Sequence, residues 1–112
     1  MNDFRSLLVW QKAMTLVREV YLMTAKMPTD ERFGLVSQIR RCAVSVPSNI
    51  AEGSKRGTKK DFLQFLRIAS GSAAELETQL ILATDIFKID VKTGESLLKE
   101  VQKMLESFIK KL

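Results

Sequence analysis

The stretch that decides the fold is residues 58–87, TKKDFLQFLRIASGSAAELETQLILATDIF. Its apolar side chains recur at alternating spacings of four and three, which places them on one face of an α-helix. The pattern lasts for more than three heptads, so it predicts a seam along which other helices pack. The seam consists of Phe62, Leu66, Ala69, Ala73, Leu76, Leu80, Ala83 and Phe87. Thr58 is the predicted N-cap of this helix, with Asp61 three residues on.

Three other segments repeat apolar residues at helical spacing. The first runs from about residue 5 to residue 26 and the last from about residue 91 to residue 112. Between them a second helix should begin at Thr29, which can cap it, and should bury Phe33 with the apolar residues that follow. Because the connections are short, the sequence predicts an all-α fold, an antiparallel up-down four-helix bundle, as a single domain over residues 1–112.

Pro47 is the residue that disturbs the second helix. It removes a backbone donor and its ring opposes the carbonyl of Ala43, so we expect a kinked second helix. The alternative is a strand over residues 42–46, where valine and serine alternate. We favour the kinked helix, because no other segment of the chain offers a strand for pairing.

Positive charge is concentrated in residues 40–67, RRCAVSVPSNIAEGSKRGTKKDFLQFLR. The segment has seven basic and two acidic residues, so its net charge of +5 equals that of the whole chain. Such a field attracts polyanions, and we expect the basic side chains to contact nucleic-acid phosphates. These side chains are Arg40, Arg41, Lys55, Arg56, Lys59, Lys60 and Arg67. Because Phe62 and Phe65 lie on apolar rows, we expect recognition of backbone or shape, without base stacking.

A group of polar and small residues around the proline and on the third helix is predicted to be structural. The group is Pro47, Ser48, Asn49, Glu52, Gly53, Gly71 and Glu75. Ser48 and Asn49 should supply hydrogen bonds around the kink. Glu52 should either pair with a nearby arginine or cap a backbone group. An alternative, less favoured, makes these three residues a polar functional site.

The third helix also carries a row that mixes apolar and polar side chains beside the seam. The row consists of Phe65, Ile68, Ser72, Glu75, Gln79, Leu82 and Ile86. Such a row is typical of an oligomer interface or of a hydrogen-bonded inner layer. Gly71 should allow a neighbouring helix or the Trp10 ring to approach closely. Glu75 should form a salt bridge, either between helices or between subunits, with Arg18, Arg40 or Arg41.

Composition excludes several classes of site. The chain has no histidine and one cysteine, Cys42, which excludes a His-based triad, His-ligated zinc and an internal disulfide. We therefore expect no catalytic residues, no metal and no cofactor. No apolar run is long enough for a membrane span, and the first residues do not form a secretory signal. With the lone cysteine, these features predict a cytoplasmic protein.

Two strings carry a resemblance to a known family: SVPSNIAEGSKRG at residues 45–57 and DFLQFLRIASGSAAELETQL at residues 61–80. They resemble the bacterial four-helix bundle proteins encoded in intervening sequences of 23S rRNA genes. VWQKAMTLVREVY near the start and QKMLESFIKKL at residues 102–112 extend the resemblance over nearly the whole chain. The resemblance implies a four-helix up-down bundle that associates as a ring, a homopentamer. The chain is also similar to the accessory protein of diversity-generating retroelements, which implies work with nucleic acid and a reverse transcriptase.

Two functional hypotheses follow. The leading one is a non-enzymatic oligomeric helical bundle that binds structured RNA or DNA through residues 40–67. The alternative is a protein-interaction scaffold for a reverse transcriptase or an RNA-processing enzyme, in which the positive charge only steers the partner.

Overall fold

Four α-helices account for most of the chain in the computed structural model, which describes residues 3–112. The helices are α1 (Leu8–Thr24), α2 (Leu35–Lys55), α3 (Lys59–Phe87) and α4 (Lys92–Lys111). Short 3-10 segments, Phe4–Ser6 and Thr29–Glu31, precede α1 and α2. No strand occurs between residues 3 and 112, so the alternative strand over residues 42–46 is wrong. The first two positions of the predicted domain lie outside the described residues.

Each helix packs against its two neighbours around the bundle, in the order α1, α2, α3, α4 and back to α1. In α2, Cys42 contacts Ser72 of α3, whereas Gly53, three turns later, faces the earlier residue Phe62. The two helices therefore run antiparallel. This arrangement confirms the predicted up-down four-helix bundle.

The pairing of α1 with α4 follows the same rule. Lys12 near the start of α1 forms a salt bridge with Glu100, and Met23 near its end lies against Gly94 at the start of α4. The four helices enclose one hydrophobic core, which all residues of the predicted α3 seam line. Phe87 alone among them is only partly buried.

Both ends of α3 are defined by identifiable capping residues. The Asp61 backbone N–H donates to Thr58 Oγ1 at 3.1 Å, which confirms Thr58 as the N-cap. At the other end Lys88 adopts φ of 58°, a left-handed conformation that ends helices, and its N–H donates to the Thr84 carbonyl. The helix therefore begins and ends close to the positions that its sequence predicts.

The start of α2 differs from the prediction. Thr29 belongs to a separate 3-10 turn and does not cap α2, which begins at Leu35 after the link residue Gly34. Glu31 Oε1 accepts from the Leu35 N–H at 3.3 Å instead. Phe33 lies in this link and is 90% exposed, so its predicted burial is wrong. The apolar spacing continued through residue 33, but the chain bends there before the helix begins.

Pro47 lies inside α2, which continues through it to Lys55. The proline ring is buried. Asn49 Nδ2 donates to the Ser45 carbonyl at 2.8 Å, so a side-chain amide adds a hydrogen bond within this part of the helix. A helix through the proline is thus confirmed, and its kink stays a prediction. Ser48 is exposed.

Two glycines have opposite surroundings. A Cβ added at Gly53 would lie 2.6 Å from Phe65 Cβ and 3.1 Å from Phe62 Cδ1, so α2 and α3 pack closest where no side chain intervenes. Gly71 is exposed, and a Cβ added there would meet no atom within 4 Å. The predicted close approach of a helix or of Trp10 to Gly71 is therefore wrong within one chain.

These surroundings predict opposite effects of the same substitution. Gly53→Ala should lower the free energy of unfolding by about 2 kcal/mol, because the new methyl group overpacks the α2–α3 contact. Gly71→Ala should raise it by up to about 1 kcal/mol, because alanine favours an exposed helical position. Urea unfolding followed by circular dichroism measures both. Equal effects of the two substitutions would contradict this account of the packing.

Candidate nucleic-acid interface

Four of the predicted cations meet where α2 connects to α3. Lys55 is the last residue of α2 and Arg56 follows it, while Lys59 and Lys60 are the first residues of α3. All four are exposed. Gly57 adopts φ of 89°, a left-handed conformation that glycine favours, and this lets the chain reverse between the helices in a few residues. The turn thus places cations from two helices on one surface.

The end of α4 lies beside this turn. The rings of Phe62 and Phe108 meet edge to face, with their centroids 5.2 Å apart, so the last turns of α4 pack against the first turn of α3. Lys110 and Lys111 are exposed and lie just after Phe108. We call the combined set the basic end: Lys55, Arg56, Lys59, Lys60, Lys110 and Lys111. The two α4 lysines were missed as site residues, and the antiparallel pairing of α3 with α4 is the signal that identifies them.

Arg56 differs from the other cations of the basic end. Its Nη2 lies 2.7 Å from Glu52 Oε2, which confirms the predicted pairing of Glu52 with an arginine. Its guanidinium also lies 4.9 Å from the centroid of the Phe65 ring. The five lysines of the basic end form no ion pair with any residue between 3 and 112. Their charge is therefore available to a polyanion.

Arg5 lies near this end but its charge is balanced. Its guanidinium forms a salt bridge with Asp3 at 2.9 Å. Hydrogen bonds from the Arg5 side chain and backbone lower the pKa of the Asp3 carboxyl, and the charge of Lys55 adds a smaller effect in the same direction. The charge of Lys55 therefore reaches Asp3, which places residues 3–5 on the side of the bundle that carries the basic end.

Arg40 has a different environment. Its Nε donates to Thr24 Oγ1 at 2.8 Å, and its guanidinium lies 4.4 Å over the Tyr21 ring. These contacts tie the end of α1 to α2. Arg40 is also about 22 Å from Lys55 along the helix, at 1.5 Å per residue. The structure therefore does not bring Arg40 together with the basic end.

Arg67 and Arg41 lie on the outer surface of the bundle. Arg67 is exposed, and with Lys60 it lines a shallow groove along α3, so it extends the basic surface away from the turn. Arg41 is exposed on the flank of α2 that faces α3. There it lines a cleft together with Glu75, and the two side chains form no salt bridge.

A chain of polar contacts crosses this cleft between α2 and α3. The hydroxyls of Ser45 and Ser72 are 2.8 Å apart, Cys42 Sγ donates to the Ser72 carbonyl at 3.0 Å, and Asn49 Nδ2 donates to Ser45 Oγ at 2.9 Å. Ser72 is the residue of the mixed α3 row that takes part in these bonds, so the prediction of a hydrogen-bonded inner layer is met at that position alone among the described residues. Gln79 in the same cleft is buried, yet its Oε1 has no hydrogen-bond partner in the described part of the chain.

Within one chain Glu75 does not form the predicted inter-helix salt bridge, and an inter-subunit salt bridge stays a prediction. It is exposed, and no arginine nitrogen lies within 4.0 Å of its carboxylate among residues 3–112. Arg40 is engaged by Thr24 instead. The carboxylate does act on Cys42: burial raises the pKa of that thiol to about 12, and the negative charge of Glu75 adds to the shift. The thiol is therefore protonated at neutral pH and is not a nucleophile.

Two further features concern other classes of site. No cluster of three or more Cys, Asp or Glu side chains suited to a metal occurs within residues 3–112. No helix of the described chain is long and apolar enough to cross a membrane. The basic end is a cluster of exposed positive charge in the part of the chain that the structure describes.

A comparison with solved structures supports the fold. The crystal structure, at 1.70 Å resolution, of a protein with unknown function from the S23 ribosomal protein family of Bacteroides thetaiotaomicron VPI-5482 is similar to this structure, with a TM-score of 0.80. The two chains are 27% identical, and the match covers 91% of this chain and 95% of the other. A search of curated proteins gives no significant match.

The model of one protein family, described as the 23S rRNA-intervening sequence protein, matches residues 5–110. The match includes all four helices apart from the last residue of α4, as well as both strings that carry the resemblance. The chain is therefore a member of the 23S rRNA-intervening sequence protein family.

Proposed function

We propose that this protein is a non-enzymatic, oligomeric helical bundle that binds structured RNA or DNA through the basic end and the adjoining Arg67. The observation that carries the proposal is that five exposed lysines from α2, α3 and α4 share one end of the bundle without an acidic partner in the described chain. Lysines so placed can neutralise phosphates and release the counterions that surround a nucleic acid.

The surroundings of these lysines favour phosphate contacts over contacts to bases. Phe62 is fully buried, and Phe65 is half-buried with the Arg56 guanidinium against its ring. Neither of these two rings is therefore free for base stacking. Lysine is a mobile point charge without the planar fork that reads a guanine edge. We expect recognition of nucleic-acid backbone and shape, with a small sequence preference.

The surface of α3 supports an oligomer. Ile68, Leu82 and Ile86 are 44%, 41% and 60% exposed on the mixed row. The buried Gln79 Oε1 beside them has no partner among the described residues of one chain. A second copy that covers this row would bury the apolar groups and could supply a donor to Gln79. A homopentamer, which the family resemblance implies, would repeat the basic end five times and raise avidity without a strong single site.

Cys42 bears on the location of the protein. It is a free, buried thiol, which fits a reducing compartment such as the cytoplasm. Encounters with RNA would take place there.

Charge reversal at the start of α3 tests nucleic-acid binding. Lys59→Glu with Lys60→Glu should weaken binding of structured RNA about tenfold at about 100 mM salt. The slope of log affinity against log salt concentration should become shallower by about two for each bound basic end, about one for each lysine replaced. The variant should remain folded, because glutamate is favourable in the first turn of a helix. Fluorescence anisotropy of labelled structured RNA, single-stranded RNA and duplex DNA across a salt series measures the affinities.

The matched control reverses two charges at the opposite end of the bundle. Lys26 and Lys92 are exposed there, so Lys26→Glu with Lys92→Glu changes the net charge equally. Its affinity for nucleic acid should stay within about twofold of the parent, because these positions are remote from the basic end. Equal affinity of the parent and the Lys59/Lys60 variant would refute binding through the basic end.

Light scattering after size-exclusion chromatography tests the oligomer. The parent should have several times the 12.7 kDa mass of one chain, and Leu82→Asp should reduce it, because a charge on the mixed row must be desolvated in the interface. Ile81→Asp is the control. Ile81 directly precedes Leu82 and is 47% exposed, but its side chain lies about 100° away around the helix. A parent that is monomeric at micromolar concentration would exclude the oligomer.

A further inference from the structure

A groove separate from the α2–α3 turn lies between the start of α1 and the last turns of α4. Leu8 lines this groove and is 70% exposed. It is the most exposed of the large hydrophobic side chains of α1. Leu7, Met104 and Phe108 line it as well and are half-buried against the core. An exposed apolar surface of this kind, between two helices, is a suitable binding site for a third apolar segment.

The basic residues of the groove come from a single face of α4. Lys103, Ser107 and Lys111 recur every four residues, so they form one row beside the apolar row of Met104 and Phe108. No residue that lines the groove is acidic. Neither lysine forms an ion pair with any residue from 3 to 112. The groove thus combines an apolar floor with an uncompensated positive rim.

Two acids on α4, Glu100 and Glu106, are spaced to pair with Lys103, and neither forms a salt bridge with it. Glu100 precedes Lys103 by three positions, at a spacing that allows a salt bridge along the helix. Its Oε2 instead lies 3.0 Å from the Nζ of Lys12 on α1. The positive charge of Lys103 is therefore left for a ligand from outside the chain.

We infer that this groove, between residues 6–9 and residues 103–111, is a docking site for an acidic amphipathic helix of a partner protein. Apolar side chains of that helix pack on Leu8, Met104 and Phe108, as in other helix-in-groove complexes. Its acidic side chains face Lys103 and Lys111. These lysines are about 12 Å apart along α4, which matches two acids separated by two helical turns on the docked helix.

Charge and shape together favour this occupant over two others. A nucleic-acid backbone would contact the lysines but would offer no apolar group to Leu8, Met104 and Phe108. An anionic membrane surface suits apolar side chains that protrude from an exposed face. Here Met104 and Phe108 are half-buried inside the groove, and only Leu8 among the lining apolar residues is largely exposed.

The test uses a fluorescein-labelled synthetic helix of about 18 residues, long enough to hold helical structure, with leucines on one face and glutamates on both sides of it. Fluorescence anisotropy should show saturable binding in the micromolar range to the intact chain. A second peptide, with the same leucines and lysine in place of every glutamate, should not bind. Amide chemical shifts should change at residues 6–9 and 103–111. Absence of saturable binding of the acidic peptide would overturn the inference.

Substitutions inside and outside the groove distinguish binding in the groove from nonspecific binding of the peptide. Leu8→Asp should weaken peptide binding about tenfold or more, since it removes an apolar contact and adds a repelling charge. Leu22→Asp is the control: Leu22 is 66% exposed on the same side of α1 but lies outside the groove, and its substitution should have no effect. Equal weakening by both would overturn the inference. Circular dichroism confirms that each variant is folded.

The charges are tested in the same way. Lys103→Glu with Lys111→Glu should weaken peptide binding about tenfold, whereas Lys99→Glu with Lys110→Glu, two α4 lysines outside the groove, should change it about twofold or less. Structured RNA and phosphatidylglycerol vesicles are titrated alongside. If Leu8→Asp abolished vesicle or RNA binding and left peptide binding unchanged, the groove would belong to that other ligand. Failure of the peptide leaves the Lys59/Lys60 test of RNA binding unaffected.

Discussion

The close approach of α2 to α3 at Gly53 is the constraint on which the rest of the structure depends. With 2.6 Å between Phe65 Cβ and the place of a glycine Cβ, no larger residue fits without a shift of the helices. The contact holds the two helices together one turn before the chain reverses at Gly57. Farther from the turn, the hydrogen bond between the Ser45 and Ser72 hydroxyls fixes the register of α2 against α3. The position of the basic turn is thus set by packing and does not depend on the charges themselves.

The helices could be predicted because each one has a face that must be buried. The α3 seam repeated long enough for the period to be unambiguous, and Thr58 marked its start. Phe33 shows the limit of that reasoning. Its spacing continued the α2 pattern, but periodicity records only the distance along the chain and cannot show that residues 32–34 bend away from the helix axis. The prediction of burial is then wrong for a residue that fits the apolar pattern.

The candidate site was predicted less completely than the fold, for a physical reason. Lys59 and Lys60 could be found as part of a local run of charge. Lys110 and Lys111 lie some fifty residues later, and only the pairing of α3 with α4 shows that they share an end with that run. Glu75 shows a second limit, since its predicted salt bridge to an arginine does not form within one chain. A carboxylate and several arginines were present, but side-chain geometry decides pairing, and Arg40 is held by Thr24 and Tyr21 instead.

Charge density along a sequence is therefore not the charge that a ligand meets. Residues 40–67 carry the net charge of the chain, yet α2 spans about 30 Å, so Arg40 and Lys55 face different surroundings. In an up-down bundle the starts of α1 and α3 share one end with the ends of α2 and α4. Cations at any of those four termini add to one field, whereas cations near the other termini do not. The field at the basic end arises from this topology, since α4 supplies lysines that lie outside the basic segment. The same rule places the apolar groove of α1 and α4 beside the basic end, where positive potential would favour the approach of an acidic partner.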